Sequence, residues 1–402
     1  MENKPTKQVG NVGYGSYIQG ENTLSNKKIV FLLVLILVFS SLLAACGNNN
    51  STSNNSSNSS NSNSTDTNSS PAEQATTEDP LASLVGKRIA LIIQLNLGTF
   101  SAQYIDGVKE QVEKLGGTLQ VFTADGDLAK MSSNLDAAVN QKFDGILIDH
   151  GTAEALQAGV DKALEQNIPV VTFDSGVVAP GVTALEQGDQ KMAELTLSQL
   201  AKDIGGKGNI VKIWVAGFAP MERRQIAYQA FIDSNPDIKE IAAFGAATQN
   251  TALDTQAQME AILKKYPKKG DITAVWAAWD EFAKGESRAI QLADREEIKV
   301  YGIDLSDEDL QIIQDPKSPW VASAAVDPKD IGRVQVRFLY QKLHGDTTPD
   351  KVVLEPIFVS RDQLPETQVS TSDLSEHVEG WGGSEQGYTD WLKQLEQLAA
   401  NK

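Results

Sequence analysis

The chain has 402 residues, with 35 Lys+Arg against 53 Asp+Glu and a net charge of −18. So acidic a surface argues against a nucleic-acid partner, because phosphate binding needs clustered Lys and Arg. One cysteine leaves no disulfide framework or Cys-rich zinc module, and His150, His344 and His377 are too dispersed to form a metal cluster. At 41% hydrophobic the chain can bury a core, and its length suggests two or three structural units.

Residues 1–26 read as an upstream extension. Lys27-Lys28 then precede an unbroken apolar run from Ile29 to Phe39, followed by Leu43-Ala44-Ala45-Cys46. A basic start, a short apolar core and small residues before a cut site make residues 27–45 a secretory signal. The run falls short of the ~20 apolar residues that span a bilayer. Leu43-Ala44-Ala45-Cys46 resembles the lipobox of bacterial lipoproteins, which implies cleavage before Cys46 and lipidation of its thiol. The expected location is therefore the extracytoplasmic face of the cell membrane, lipid-anchored. Between Gly47 and Ser70, 19 of 24 residues are Asn or Ser. With nothing apolar to bury, residues 46–84 are expected to be a disordered tether reaching roughly 30–35 Å.

From Arg88 the pattern alternates. Apolar strand-length runs lie over 88–93, 118–122, 145–148 and 169–173, with amphipathic helices expected over 104–115, 130–142 and up to 166. The pattern restarts after Gly188, with helices over 190–203, 222–234, 254–265 and 283–293 and strands over 209–215, 240–244, 272–277 and 298–303. Strands buried on both faces and separated by helices predict α/β architecture with doubly wound parallel sheets. Two such units in succession predict two lobes with a ligand cleft at the carboxyl ends of their strands. Trp391 to Ala400 reads as a helix docked back on the body.

The residues also carry a family resemblance. Ile89–Ile93 with Phe100 and Asp106-Gly107 looks like the opening of ribose-binding-type periplasmic proteins. Asn167 through Asp174 (NIPVVTFD), Gly206–Val211, Arg224 with Ala227-Tyr228, Trp279-Asp280-Glu281, Val300–Asp304, and Asp327-Pro328 with Ile331-Gly332 are similar to that family's motifs in order. The similarity spans residues 86 to about 360. It implies the type I periplasmic-binding-protein fold, with residues 86–187 and 327–355 in the N-terminal lobe and 188–326 and 356–362 in the C-terminal lobe. Residues 363–402 form a C-terminal extension. It further implies capture of a sugar or similar small polar ligand by hinge closure, delivery to the permease of an ABC importer, a monomer, no cofactor and no catalysis.

By position in those motifs, Asp174, Arg224 and Asp304 are the expected ligand contacts. Asp174 and Asp304 accept from hydroxyls and Arg224 donates to two oxygens. The competing roles are an ion pair of Arg224 with Glu222 or Asp280, and a helix cap for Asp304. Arg223 is expected to be solvated. Trp279 offers a flat apolar face, with Asp280 beside it as an alternative acceptor. Phe100 is expected in the first loop, with Ser101 where the family has a second aromatic. Asp149, Asn250, Gln94 and Asn96 complete the candidate set, the last two equally readable as loop-stabilising amides. An Asp149-His150 pair is more readily a ligand contact than an acid–base device. Truncating Asp174 or Arg224 is expected to abolish binding with little effect on the unliganded protein. The rival readings are a lipoprotein that feeds a two-component or chemotaxis receptor, and a surface carbohydrate-active enzyme.

Overall fold

The computed structural model describes residues 80–401; the signal at 27–45, Cys46 and the Asn/Ser tract lie outside them. The last residues of the expected tether do not belong to it. Pro80–Leu84 form a 3-10 turn that buries Leu81 and Leu84, because two leucines three apart share one face of such a turn.

The first lobe is built on β1 (Arg88–Ile93), β2 (Thr118–Thr123), β3 (Gly145–Asp149), β4 (Val170–Phe173) and β5 (Thr183–Gln187). Helices α1 (Gly98–Lys114), α2 (Leu128–Asn140) and α3 (Ala153–Glu165) connect them. The second lobe holds α4 (Asp189–Asp203), β6 (Gly208–Ile213), α5 (Ala219–Ser234), β7 (Ile238–Phe244) and α6 (Thr251–Lys265). It continues through β8 (Ala274–Ala277), α7 (Asp280–Leu292), β9 (Lys299–Ile303), α8 (Asp307–Gln314) and β10 (Trp320–Ala325). The chain then crosses back as α9 (Pro328–His344) and β11 (Lys351–Leu354), and returns as β12 (Ile357–Ser360). The sheet orders are β11-β5-β4-β3-β1-β2, all parallel, and β12-β10-β9-β8-β6-β7, parallel except β12. This is the expected two-lobe α/β architecture.

The central strands of both sheets are covered on both faces, which is why they read as continuous apolar runs, whereas the edge strands β2, β7 and β11 are partly exposed. Ile89 to Ile93 of β1 are all fully buried. The return helix packs along α1 so closely that their backbones touch. A Cβ on Gly107 would lie 2.2 Å from the Lys329 carbonyl oxygen, and one on Gly332 would lie 2.5 Å from that of Tyr104. Only glycine permits this approach. At the hinge, a Cβ on Gly188 would come within 2.8 Å of Pro356, so two of the crossing strands also run in contact.

The C-terminal segment is part of both lobes. Leu374, Val378 and Trp381 enter the core of the second, and α10 (Asp390–Ala400) buries Leu392 and Leu395 in the first. Between them the chain turns through Gly380, Gly382, Gly383 and Gly387, each at positive φ.

Candidate functional site

The cleft lies where the two sets of strand ends meet. Asp125, His150, Asp174 and Asp304 follow β2, β3, β4 and β9, and all sit in the left-handed region, with φ of 56°, 62°, 46° and 72°. Asp and His tolerate that conformation better than branched residues, and such strain concentrates at functional positions. The cavity encloses about 640 Å³ of space between the lobes, part of it open to solvent. The first lobe lines it with Phe100 and Tyr104 of α1 and with Leu95, Asp149, His150, Asp174 and Gln187 at strand ends. The second contributes Val215, Phe218, Arg224, Ala247, Trp279 and Asp304.

A chain of alternating charges runs behind this lining. Arg224 Nε donates to Asp189 Oδ1 at 2.8 Å, Nη1 to the Ala278 carbonyl at 2.6 Å and to Asp304 Oδ2 at 3.0 Å, and Nη2 to Asp304 Oδ1 at 3.1 Å. Four of the five guanidinium donors are thereby engaged, leaving one without a side-chain or backbone acceptor among the described residues. Arg223 Nε donates to Asp189 Oδ2 at 2.6 Å, and its Nη2 reaches across the cleft to Asp174. Arg223 is therefore ion-paired, not solvated; the carboxylates of Asp174, Glu186 and Asp189 flank it, and its side chain is only 20% exposed. Burial, with the charge of Asp189, pushes the Asp174 carboxyl up, and Arg223, His150 and Arg224 oppose that rise.

Gln187 closes the arrangement. Its Nε2 lies 3.4 Å from Asp174 Oδ2 and 3.3 Å from Asp304 Oδ1, joining the lobes. The two carboxylates fix the amide orientation, so Oε1 points away from them. That oxygen is buried and accepts from no side chain or backbone group among the described residues. Beside it, His150 Nδ1 is 2.7 Å from Asp149 Oδ1. Burial alone would lower the imidazole pKa, but the Asp149 charge and hydrogen bond raise it to about 9, so the ring is cationic at neutral pH.

Six of the ten expected contacts thus share one cavity: Phe100, Asp149, Asp174, Arg224, Trp279 and Asp304. Phe100 sits in the first turn of α1 rather than in a loop, since that helix starts at Gly98, before the expected Tyr104. Arg224 pairs with Asp189 and Asp304, not with Glu222 or Asp280. Asp304 does not cap the next helix; Ser306 does, in a capping box with Asp309.

Four candidates lie outside the lining. Gln94 accepts from the Gly151 N–H at 2.8 Å and holds the loop after β3. Asn96 and Asn250 are exposed, the latter at the start of α6. Asp280 turns into a buried cluster 3.5 Å from Lys284 Nζ, which also holds Glu281 and Glu308. Gln187, Asp189 and Tyr104 escaped the sequence reading. The tandem Arg223-Arg224 was the available signal that two buried carboxylates needed partners. Because Arg224 is fully buried in that chain, truncating it leaves Asp189 and Asp304 short of a partner, which argues for a loss of stability in the unliganded protein against the expectation of little effect.

The family profile described as Periplasmic binding protein domain matches residues 89–347. This chain belongs to the periplasmic binding protein family. Within it, the chain is similar to type I sugar-binding proteins. The D-apiose import binding protein of Paraburkholderia graminis is 29% identical over 224 residues, 55% of this chain and 70% of that protein. The ribose import binding protein of Bacillus subtilis is 26% identical, covering 65% and 84%. Among solved structures, a sugar ABC transporter protein from Yersinia enterocolitica is 36% identical with a TM-score of 0.76, covering 80% of this chain and 97% of its own. A 5-methylthioribose transporter solute-binding protein from Thermotoga lettingae, solved with 5-methylthioribose, is also 36% identical, with a TM-score of 0.73 and coverage of 77% and 98%. Among the described residues, no helix is long and apolar enough to cross a membrane, and no cluster of three or more His, Cys, Asp or Glu side chains is arranged to hold a metal ion.

Proposed function

We propose that this protein captures a sugar in the cleft between its lobes and passes it unaltered to the permease of an ABC importer. Binding proteins for ribose, D-apiose and 5-methylthioribose are among its relatives. The observation that carries the reading for this chain is Gln187, whose Nε2 bridges two carboxylates from opposite lobes while its buried Oε1 accepts from no group among the described residues. One ligand hydroxyl would donate to that oxygen and another to Asp174 or Asp304, while the free donor of Arg224 serves a ligand oxygen. Because those groups belong to two lobes, a ligand touching all of them favours the closed arrangement through differential contacts.

The protein works as a monomer held to the outer face of the membrane through lipid on Cys46, with the Asn/Ser-rich segment as leash. The support is that the only cysteine stands at the position a lipobox requires. Mass spectrometry of the membrane fraction should find diacylated Cys46 at the mature N-terminus; an uncleaved leader would refute the anchor. For the binding role, a thermal-shift screen of sugars is the test. A ligand at 100 times its Kd stabilises by about 2.7 kcal/mol, and it should be recovered chemically unchanged. No shift with any sugar, or turnover of the bound one, would overturn the reading.

A further inference from the structure

The two sheets face each other in a fixed register. At the outer edge, Gln249 after β7 donates to the carbonyl oxygen of Asp125 after β2, at 3.0 Å. In the middle, the His150 ring after β3 lies edge-on to Phe218 after β6, with centroids 6.1 Å apart. Toward the other end, Gln187 of β5 reaches Asp304 after β9, and Arg223 reaches Asp174 after β4.

Polarity follows that register. The carboxylates and the amide stand at the ends of β3, β4, β5 and β9. The lining from β1, β6 and β7 is Leu95, Val215, Phe218 and Ala247, without a charge or a free hydrogen-bonding side chain. The nearby helix α1 adds Phe100 and also Ser101, whose hydroxyl already accepts from the Leu97 N–H at 3.3 Å. One end of the ligand therefore meets several acceptors, and the other meets mainly hydrocarbon, with the Ser101 hydroxyl and the edge of the His150 ring at its margin. A sugar with hydroxyls all round would leave some of them without partners at that second end.

We infer that the ligand is a monosaccharide carrying a small apolar substituent, such as a deoxy, methyl or methylthio group, on the end that faces Leu95, Val215, Phe218 and Ala247. This rests on the sugar-binding reading above and narrows it. The hydroxylated end is held by Asp174, Gln187 and Asp304, and burial of the apolar end adds affinity in proportion to the area removed from water.

The test is calorimetric titration of the purified protein with two matched pairs, ribose against 5-methylthioribose and D-galactose against 6-deoxy-D-galactose. The expected result is that the apolar member of at least one pair binds tenfold or more tightly than its partner. Val215→Thr, nearly isosteric, should then cut that preference by threefold or more. The wild-type comparison decides the matter whether or not the variant folds. Equal or tighter binding of the polar members would overturn the inference. So would binding of some other unsubstituted sugar when neither pair binds, and in that case the sugar-binding reading would survive. Failure of every sugar, substituted or not, would remove both.

Discussion

Arg224 and Asp304 form a two-pronged pair inside the second lobe, with Nη1 to Oδ2 at 3.0 Å and Nη2 to Oδ1 at 3.1 Å. The parallel geometry fixes the carboxylate plane as well as its position. Asp304 is thus presented to the cleft ready-oriented, and Gln187 from the first lobe meets it there. Orientation before binding lowers the entropy that a ligand must otherwise overcome.

The same pair predicts a stability effect. Arg224→Ala leaves two buried carboxylates short of a partner, so the unliganded protein should lose about 3–5 kcal/mol as well as ligand affinity. Urea denaturation of the unliganded variant checks this. A midpoint equal to wild type would mean that Arg224 serves the ligand alone.

Arg223 is a different case, because its contact with Asp174 spans the lobes and exists only when they meet. Arg223→Gln should weaken ligand binding by roughly tenfold, equivalent to about 1.4 kcal/mol, by depleting the closed form. Small-angle scattering should show a larger radius of gyration for the unliganded variant. Unchanged scattering would assign Arg223 to folding rather than closure.

The His150–Asp149 pair sets a pH dependence. The folded imidazole titrates at about 9 against 6.5 for an unperturbed histidine, so the fold binds the proton more tightly than the unfolded chain. Its contribution is complete below pH 6.5 and is lost as pH rises through about 9, amounting to roughly 3–4 kcal/mol. Melting temperatures of wild type and His150→Gln should converge between pH 7 and 9.5. Parallel curves over that range would contradict the assignment.

Glu286 lies fully buried in α7 with neither carboxyl oxygen partnered among the described residues. Burial pushes its carboxyl well above the usual range. A raised acid stabilises the fold only at low pH and costs stability as pH rises. Glu286→Met should therefore stabilise the protein at pH 7.5, by about 1–3 kcal/mol, and by less at pH 5. A loss of stability at pH 7.5 would show that Glu286 has a structural role.

The C-terminal segment offers the last prediction. Removing residues 385–402 exposes the sites of Leu392 and Leu395, worth about 1.5–3 kcal/mol each. It also removes the two carbonyls, of Ser384's neighbours Gln386 and Gly387, that accept from Arg337 and Gln341. The truncated protein should melt well below the full chain, and an unchanged melting point would mark the segment as an appendage.

The fold was largely legible because its strands are buried on both faces and so read as plain apolar runs, as in Arg88–Ile93 and Val170–Phe173. Gly107 and Gly332 also stood out before their reason was visible, which is the backbone contact between α1 and α9. Less legible were β5 and β11, where alternation is short and one face is only half covered. In the site, the strand-end residues Asp149, Asp174 and Asp304 could be placed because parallel sheets bring such ends together. Gln187 could not, since its importance arises from two carboxylates distant in sequence. Asp280 misled for the converse reason: adjacent to Trp279 in sequence, it points into the Lys284 cluster.

The most direct measurement is a crystal structure of the protein with the sugar that stabilises it most. Ligand hydroxyls should lie within about 3.2 Å of Gln187 Oε1 and of Asp174 or Asp304, with both lobes in contact with the same molecule. A sugar bound to one lobe alone, or outside this cleft, would contradict this.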